Sequence, residues 1–126
     1  MKTQLSKAMI AGTVLLASAF SAAAGQPYDS NAFEKAQAGG KSILIDVTAP
    51  WCPTCTRQRP IIQSLESSNP KLVVFDVDFD TSKDVLRRFR VQSQSTLILF
   101  KGNVEVGRST GDTNATTITS LVDKAL

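Results

Sequence analysis

Residues 42–47, Ser-Ile-Leu-Ile-Asp-Val, form a nearly unbroken apolar, β-favouring run that ends in Thr48-Ala49-Pro50, directly before Trp51-Cys52-Pro53-Thr54-Cys55. A run of this length suits a strand buried on both faces. Pro53 fits the first turn of a helix, where its missing N–H leaves no bond unmade. A helix is therefore expected from Cys52-Pro53 toward Ser67, kinked where Pro60 falls inside it. Buried strand, break, cysteine pair and helix start follow one another within fourteen residues, 42–55. This sequence constrains the fold more than any other feature of the chain.

The rest of the pattern fits around it. Asn31 followed by Glu34 resembles a capping arrangement for a short helix that Gly39-Gly40 stops near Ala38. Leu72 to Val77 predicts a second buried strand, Ser82 to Phe89 a helix, and Thr96 to Phe100 a third strand. Gly102-Asn103 signals a tight turn into Val104-Glu105-Val106, which alternates as a half-exposed strand should. Ile118, Leu121, Val122 and Ala125 recur at helical spacing within a final helix over 114–125. The first two strands, joined through a helix, are expected to run parallel with a right-handed crossover, and the last two to form a hairpin. The expected fold class is α/β: a four-stranded mixed sheet with helices on both faces.

The amino-terminal stretch does not belong to that domain. Lys2 and Lys7 precede an apolar run ending at Phe20, and Ala22-Ala23-Ala24 offers a small-x-small cleavage site before Gly25. This is the layout of a secretory signal peptide over residues 1–24, leaving a domain of residues 25–126. An uncleaved membrane anchor is the alternative, although the apolar part is short against the ~20 residues a spanning helix needs. Loss of Lys2 and Lys7 leaves 12 basic against 11 acidic residues. A near-neutral domain gives no support for nucleic-acid binding.

The chemistry rests on Cys52 and Cys55. A cysteine at a helix start meets unpaired amides and the positive end of the helix dipole, and both stabilise the thiolate, the reactive form. A second cysteine one turn on can attack a mixed disulfide formed on the first. Cys52 and Cys55 are thus candidates for a redox-active disulfide, with the cysteines carrying the electrons and no organic cofactor needed. Three other readings compete: a structural disulfide, half of a four-cysteine metal site, and a pair of inert thiols. So short a loop constrains the unfolded chain by less than the roughly 3 kcal/mol of a 15-residue loop, and no second CxxC is present. The chain has no histidine, which excludes a His-based triad or a His-containing metal site built from this chain alone. Asp46 is the anomaly in the buried run. A strand-end hydrogen bond would explain it structurally. A buried acid beneath the cysteines, exchanging a proton with Cys55, would explain it functionally.

Residues Asp46 to Cys55 resemble the active-site region of the thioredoxin family. Pro60, the Phe75-Asp76-Val77-Asp78 strand, Thr96 to Gly102 and Gly111 extend the resemblance over about residues 30–126. The resemblance implies a thioredoxin fold without the extra amino-terminal strand of the larger members, and a thiol–disulfide oxidoreductase activity. It makes Cys52 the exposed nucleophile, Cys55 the buried resolving thiol and Asp46 the proton-transfer acid. Trp51, Pro53, Ser95 and Thr96 become the substrate-facing positions. Two departures stand out. Ser95 occupies the place of the family's cis-proline, so a trans bond is expected there, with space opened beside the sulfurs that could admit a metal or cluster between two chains. The inter-cysteine pair is Pro53-Thr54, proline first. Asp46 points toward a reductant and Pro53 toward an oxidant; the reductant is favoured. The expected partners are disulfide-containing or dithiol exported proteins and a membrane electron carrier that recharges the pair. The expected state is a periplasmic monomer. The rival class is a binding module for a peptide or a metal, with altered redox function. Arg87, Arg88 and Arg90 read as a solvated helix face.

Overall fold

The computed structural model describes residues 25–126, so the expected export segment, residues 1–24, lies outside the described residues. In chain order the elements are β1 (Gln26–Pro27), α1 (Ser30–Ala38), β2 (Ser42–Thr48), α2 (Pro53–Ser68) and β3 (Leu72–Asp78). They continue with α3 (Lys83–Phe89), β4 (Thr96–Lys101), β5 (Val104–Thr110) and α4 (Ala115–Asp123). The sheet order is β1-β3-β2-β4-β5. β2 takes the centre, parallel to β3 and antiparallel to β4, and Ser42 to Val47 are all buried. The continuous apolar run of the sequence is the signature of that central place.

The α/β layers and the helices match the sequence expectation, but the sheet has five strands, not four. Gln26 and Pro27 pair in parallel with Phe75 and Asp76, and the Tyr28 amide donates to the Asp76 carbonyl at 2.9 Å. Without this pairing β3 would be an open edge with unmet backbone groups. Pro27 is tolerated because it lies on the outermost strand. Two residues are too short to show a period, and the anchor is the Tyr28 ring, packed within 6.0 Å of Phe33, Phe75 and Phe89. The cap of α1 also differs: Asp29, not Asn31, holds the extended N-cap geometry and accepts from the Ala32 amide at 2.8 Å. Asn114 caps α4 through the amides of Thr116 and Thr117.

Strand alternation divides the interior into two cores. Leu44, Val74, Leu97 and Leu99 face α2 and α4, meeting Ile62, Ile118 and Val122. Ile43, Ile45, Val47, Phe75 and Ile98 face α1 and α3, meeting Phe33, Leu86 and Phe89. Asp46 and Asp76 lie two residues beyond Leu44 and Val74 on their strands, on the same face, which puts both carboxylates on the α2 side. Among the described residues no helix is long and apolar enough to cross a membrane.

Phe33 is 1% exposed, and its ring lies 5.3–6.0 Å from those of Tyr28, Phe75, Phe89 and Phe100. Phe33→Ala is expected to cost about 3–5 kcal/mol in urea unfolding. Tyr28→Phe is expected to cost nothing measurable, because the buried Tyr28 hydroxyl has no hydrogen-bond partner to lose.

Candidate active site

The end of β2 delivers the chain to α2 through a tight turn in which the Cys52 amide donates to the Ala49 carbonyl at 3.2 Å. Cys52 is the N-cap of α2, with extended backbone angles, and its Sγ accepts the Cys55 amide proton at 3.1 Å. The sulfur thus takes the place an Asp or Ser oxygen holds in an ordinary cap. Pro53 occupies the first helical turn, as its fixed φ favours. A disulfide joins Cys52 to Cys55, with Cα atoms 5.3 Å apart.

The cysteines are equally enclosed: Cys52 is 2% and Cys55 3% exposed. This corrects the expectation of an exposed nucleophile beside a buried partner. Both sulfurs turn toward the Ser95 hydroxyl, 3.1 Å from Cys52 Sγ and 3.3 Å from Cys55 Sγ. Ala49 and Phe79 close the apolar side.

Ser95 is held from all directions. Its φ is +64°, in the left-handed region that an L-residue enters at a cost. Its amide donates to the Val47 carbonyl at 2.8 Å, and its carbonyl accepts from the Gly111 amide at 3.0 Å and the Gln58 side-chain amide at 3.2 Å. Gln58, fully buried on α2, also donates to the Asp112 carbonyl at 2.7 Å. The peptide bond before Ser95 is trans, in line with the sequence reading. The opening foreseen beside the sulfurs is corrected: the Ser95 side chain itself fills it. Among the described residues no group of three or more metal-ligating side chains is gathered.

Asp46 is 5% exposed, and its Oδ1 has no hydrogen-bond partner. It stands opposite Asp76 in the parallel β2–β3 register. Burial first, and then the Asp76 charge, push the Asp46 carboxyl up to about 7 against the opposing pull of Arg59 on α2. Asp76 is pushed up to about 6, chiefly by burial; Arg59 lowers it and Glu66 raises it. Asp76 Oδ1 is likewise buried without a partner. The Gly25 amide donates to Glu66 at 3.1 Å, at the outer end of this acidic cluster.

The remaining expected positions divide. Trp51 is 56% exposed, and its indole N–H donates to Asp80 at 2.7 Å, which pins the ring beside the cysteines. Pro53 is exposed. Thr96 faces inward: it is 3% exposed, and its hydroxyl is engaged by the Ser93 carbonyl at 2.8 Å and the Thr110 hydroxyl at 2.9 Å. Arg87 pairs with Asp84, and Arg88 pairs with Glu34 at 3.2 Å while covering the Phe33 and Phe89 rings. A cleft of about 490 Å³ between Phe33, Arg88, Arg90 and Arg108 contains neither cysteine. The sequence reading did not single out Asp76, Arg59 or Gln58. Asp76 carried a usable signal, a second acid in a second buried strand. Gln58 is three residues after Cys55, among the buried positions of α2 with Cys55, Ile62 and Leu65, but nothing in the sequence tells which carbonyls it reaches.

The thioredoxin family model matches residues 26–124. The chain belongs to the thioredoxin family. A thioredoxin of Echinococcus granulosus is 33% identical over 87 residues, which cover 69% of this chain and 81% of that protein. A thioredoxin of Chlamydia trachomatis is 35% identical, covering 65% of this chain and 80% of its own length. Among solved structures, Trxlp from Edwardsiella tarda EIB202 superposes with a TM-score of 0.73 at 44% identity, covering 77% of this chain and 96% of that one. The fold is the thioredoxin fold, and with its CxxC disulfide the protein is a thioredoxin-like thiol–disulfide oxidoreductase. The family acts on disulfide-containing proteins.

The buried acids give this domain a pH-dependent stability. Asp46 titrates near 4 in an unfolded chain and at about 7 when folded. Between those values the folded protein keeps a proton that the unfolded chain has released, so stability falls as pH rises through the window. Asp76 adds to the same slope up to about 6. Asp46→Asn is expected to be more stable than the parent by about 2–4 kcal/mol at pH 8 and nearly equal at pH 4, read by urea unfolding.

Proposed function

We propose that this thioredoxin-family enzyme reduces disulfides in exported proteins, with Cys52 as attacking sulfur, Cys55 as resolving sulfur and Asp46 as the acid that receives and returns the resolving proton. The observation that carries the reading is the cap of α2: one helix amide already points at Cys52 Sγ, one turn before the sulfur that completes the exchange. In the forward direction the Cys52 thiolate bonds to one target sulfur as the target disulfide breaks. The other target sulfur leaves as a thiolate and takes a proton. Cys55 then gives its proton toward Asp46 and bonds to Cys52 as the mixed disulfide breaks, and the target sulfur that was on Cys52 leaves as a thiolate and takes that proton back. Two electrons pass to the target, with two protons once the one Cys52 released to solvent is counted. Asp46 makes no hydrogen bond to either sulfur, so the proton crosses by way of water. An acid titrating at about 7 suits that task near neutral pH.

Three considerations support the reducing direction. The donors reaching the sulfurs among the described residues, the Cys55 amide and the Ser95 hydroxyl, are both neutral. The chain has no histidine to supply a cation. An ionised Asp46 beneath the site disfavours a second negative charge. A thiolate held by neutral donors, without a cation beside it, is stabilised less than one paired with a positive charge, which favours the disulfide and lets the dithiol give its electrons away more readily. The exposed Trp51 ring offers targets a surface beside the cysteines. Export rests on the residue 1–24 layout, with Gly25 as the first residue after cleavage. A membrane electron carrier would restore the dithiol, and the domain would work as a periplasmic monomer.

Insulin reduction with dithiothreitol tests the chemistry. Cys52→Ser is expected to abolish it, and Cys55→Ser to accumulate a mixed disulfide visible on a non-reducing gel. Asp46→Asn is expected to slow turnover at least tenfold at pH 7. Full activity in Cys52→Ser would sink the reading. A redox potential above that of glutathione would overturn the direction, and cell fractionation with amino-terminal sequencing would overturn the export if the protein were found in the cytosol with residues 1–24 intact.

A further inference from the structure

The hydroxyl of Ser95 has no role in the exchange as described, yet it touches both sulfurs. In the disulfide neither sulfur carries a proton, so in both contacts the hydroxyl is the donor. It has one proton and two acceptors at nearly equal distance, 3.1 Å and 3.3 Å, and a turn about the Cα–Cβ or Cβ–Oγ bond passes that proton from one to the other. The backbone beneath it does not share this freedom. The amide bond to Val47 and the two bonds accepted by the carbonyl hold Ser95 at φ +64°. Ser95 is 4% exposed, so its hydroxyl acts with little competition from water. A strained, fully bonded residue that aims one free group at two reacting atoms has the attributes of a preorganised donor.

We propose that Ser95 is a catalytic residue whose hydroxyl donates to whichever sulfur bears the negative charge: to Cys52 in the reduced enzyme, and to Cys55 as that thiol loses its proton for the resolving attack. This rests on the exchange reading given above and assigns the group that shares the charge at each of its two steps. Charge on Cys52 would then be met by two donors, the Cys55 amide and the Ser95 hydroxyl, whereas charge on Cys55 has Ser95 as the donor that the geometry already provides. A proline in this place would bring neither the hydroxyl nor the amide that bonds to Val47. The transfer creates and breaks no covalent bond on Ser95; the serine proton stays on its oxygen throughout.

The test is a titration of the reduced protein by thiolate absorbance at 240 nm, with Ser95→Ala and Ser95→Gly beside the parent. Alanine removes the hydroxyl and keeps the left-handed strain. Glycine removes both, and so separates the hydroxyl from the backbone if alanine folds poorly. A hydrogen bond to a charged group is worth about 1.5–3 kcal/mol, so both variants should move the Cys52 titration upward by about one unit or more. About tenfold less thiolate at pH 7, offset by roughly threefold greater nucleophilicity of the more basic sulfur, predicts alkylation by iodoacetamide about threefold slower. The potential should move to more negative values in both variants. If both titrate and alkylate as the parent does, the proposal is wrong; if only glycine changes, the backbone and not the hydroxyl is responsible, and it is equally wrong. None of these readouts needs a target protein. A failure of insulin reduction in the parent would therefore strike the functional reading and leave this result standing on its own.

Discussion

The hydrogen bond from the Cys55 amide to Cys52 Sγ ties sequence, fold and chemistry together. It exists because α2 begins one residue after Cys52, and α2 begins there because β2 ends at Thr48 and a proline break separates the two. The central position of β2 fixes where that break falls in space. Strands on both sides lock its register, so the cap is displayed at one end of the sheet and cannot slide. The first turn of the helix leaves amides without backbone partners, and a sulfur that fills such a position gains charge stabilisation as part of holding the helix together. Structure and reactivity here are the same contact seen from two sides.

Asp46 shows the opposite relation. A carboxylate in the middle of a buried sheet face, next to a second carboxylate across the register, weakens the folded state whenever it ionises. Arg59 relieves this only in part, because it lies on the exposed side of α2 and works through a mixture of protein and water. The same discomfort keeps a proton on the carboxyl up to about neutral pH. The fold tolerates the acid because Leu44, Val74, Leu97 and the helices above them bury enough apolar surface around it.

Much of this was legible in the residues. The apolar run of β2, the helix start at Pro53 and the hairpin glycine at 102 each signal their element through local chemistry, and all three are where the sequence places them. The Cys52–Cys55 pair was legible from its place between a buried strand and a helix start, and the burial of Asp46 from the apolar run around it. What was not legible depends on contacts far apart in the chain. The two-residue strand β1 is made by its neighbour β3 and by an aromatic anchor, not by any pattern of its own. The enclosure of Cys52 follows from Ser95, 43 positions away, taking a left-handed conformation that no pattern around residue 95 announces. Serine at that position suggested vacancy, because a smaller residue seemed to leave room; the backbone moved the side chain into it.

Gln58 has a consequence of its own. From one point on α2 its amide group grips two carbonyls, one just before β4 and one just after β5. The helix that carries the sulfurs and the two segments that frame them are therefore stitched into a single rigid block. When the bond between the cysteines opens, the two sulfurs must part to non-bonded distance, but the backbone that carries Ser95 and the start of α2 is braced against rearranging with them. An electron-exchanging protein that cycles repeatedly gains from such a mount, since each turn begins with its parts already in place.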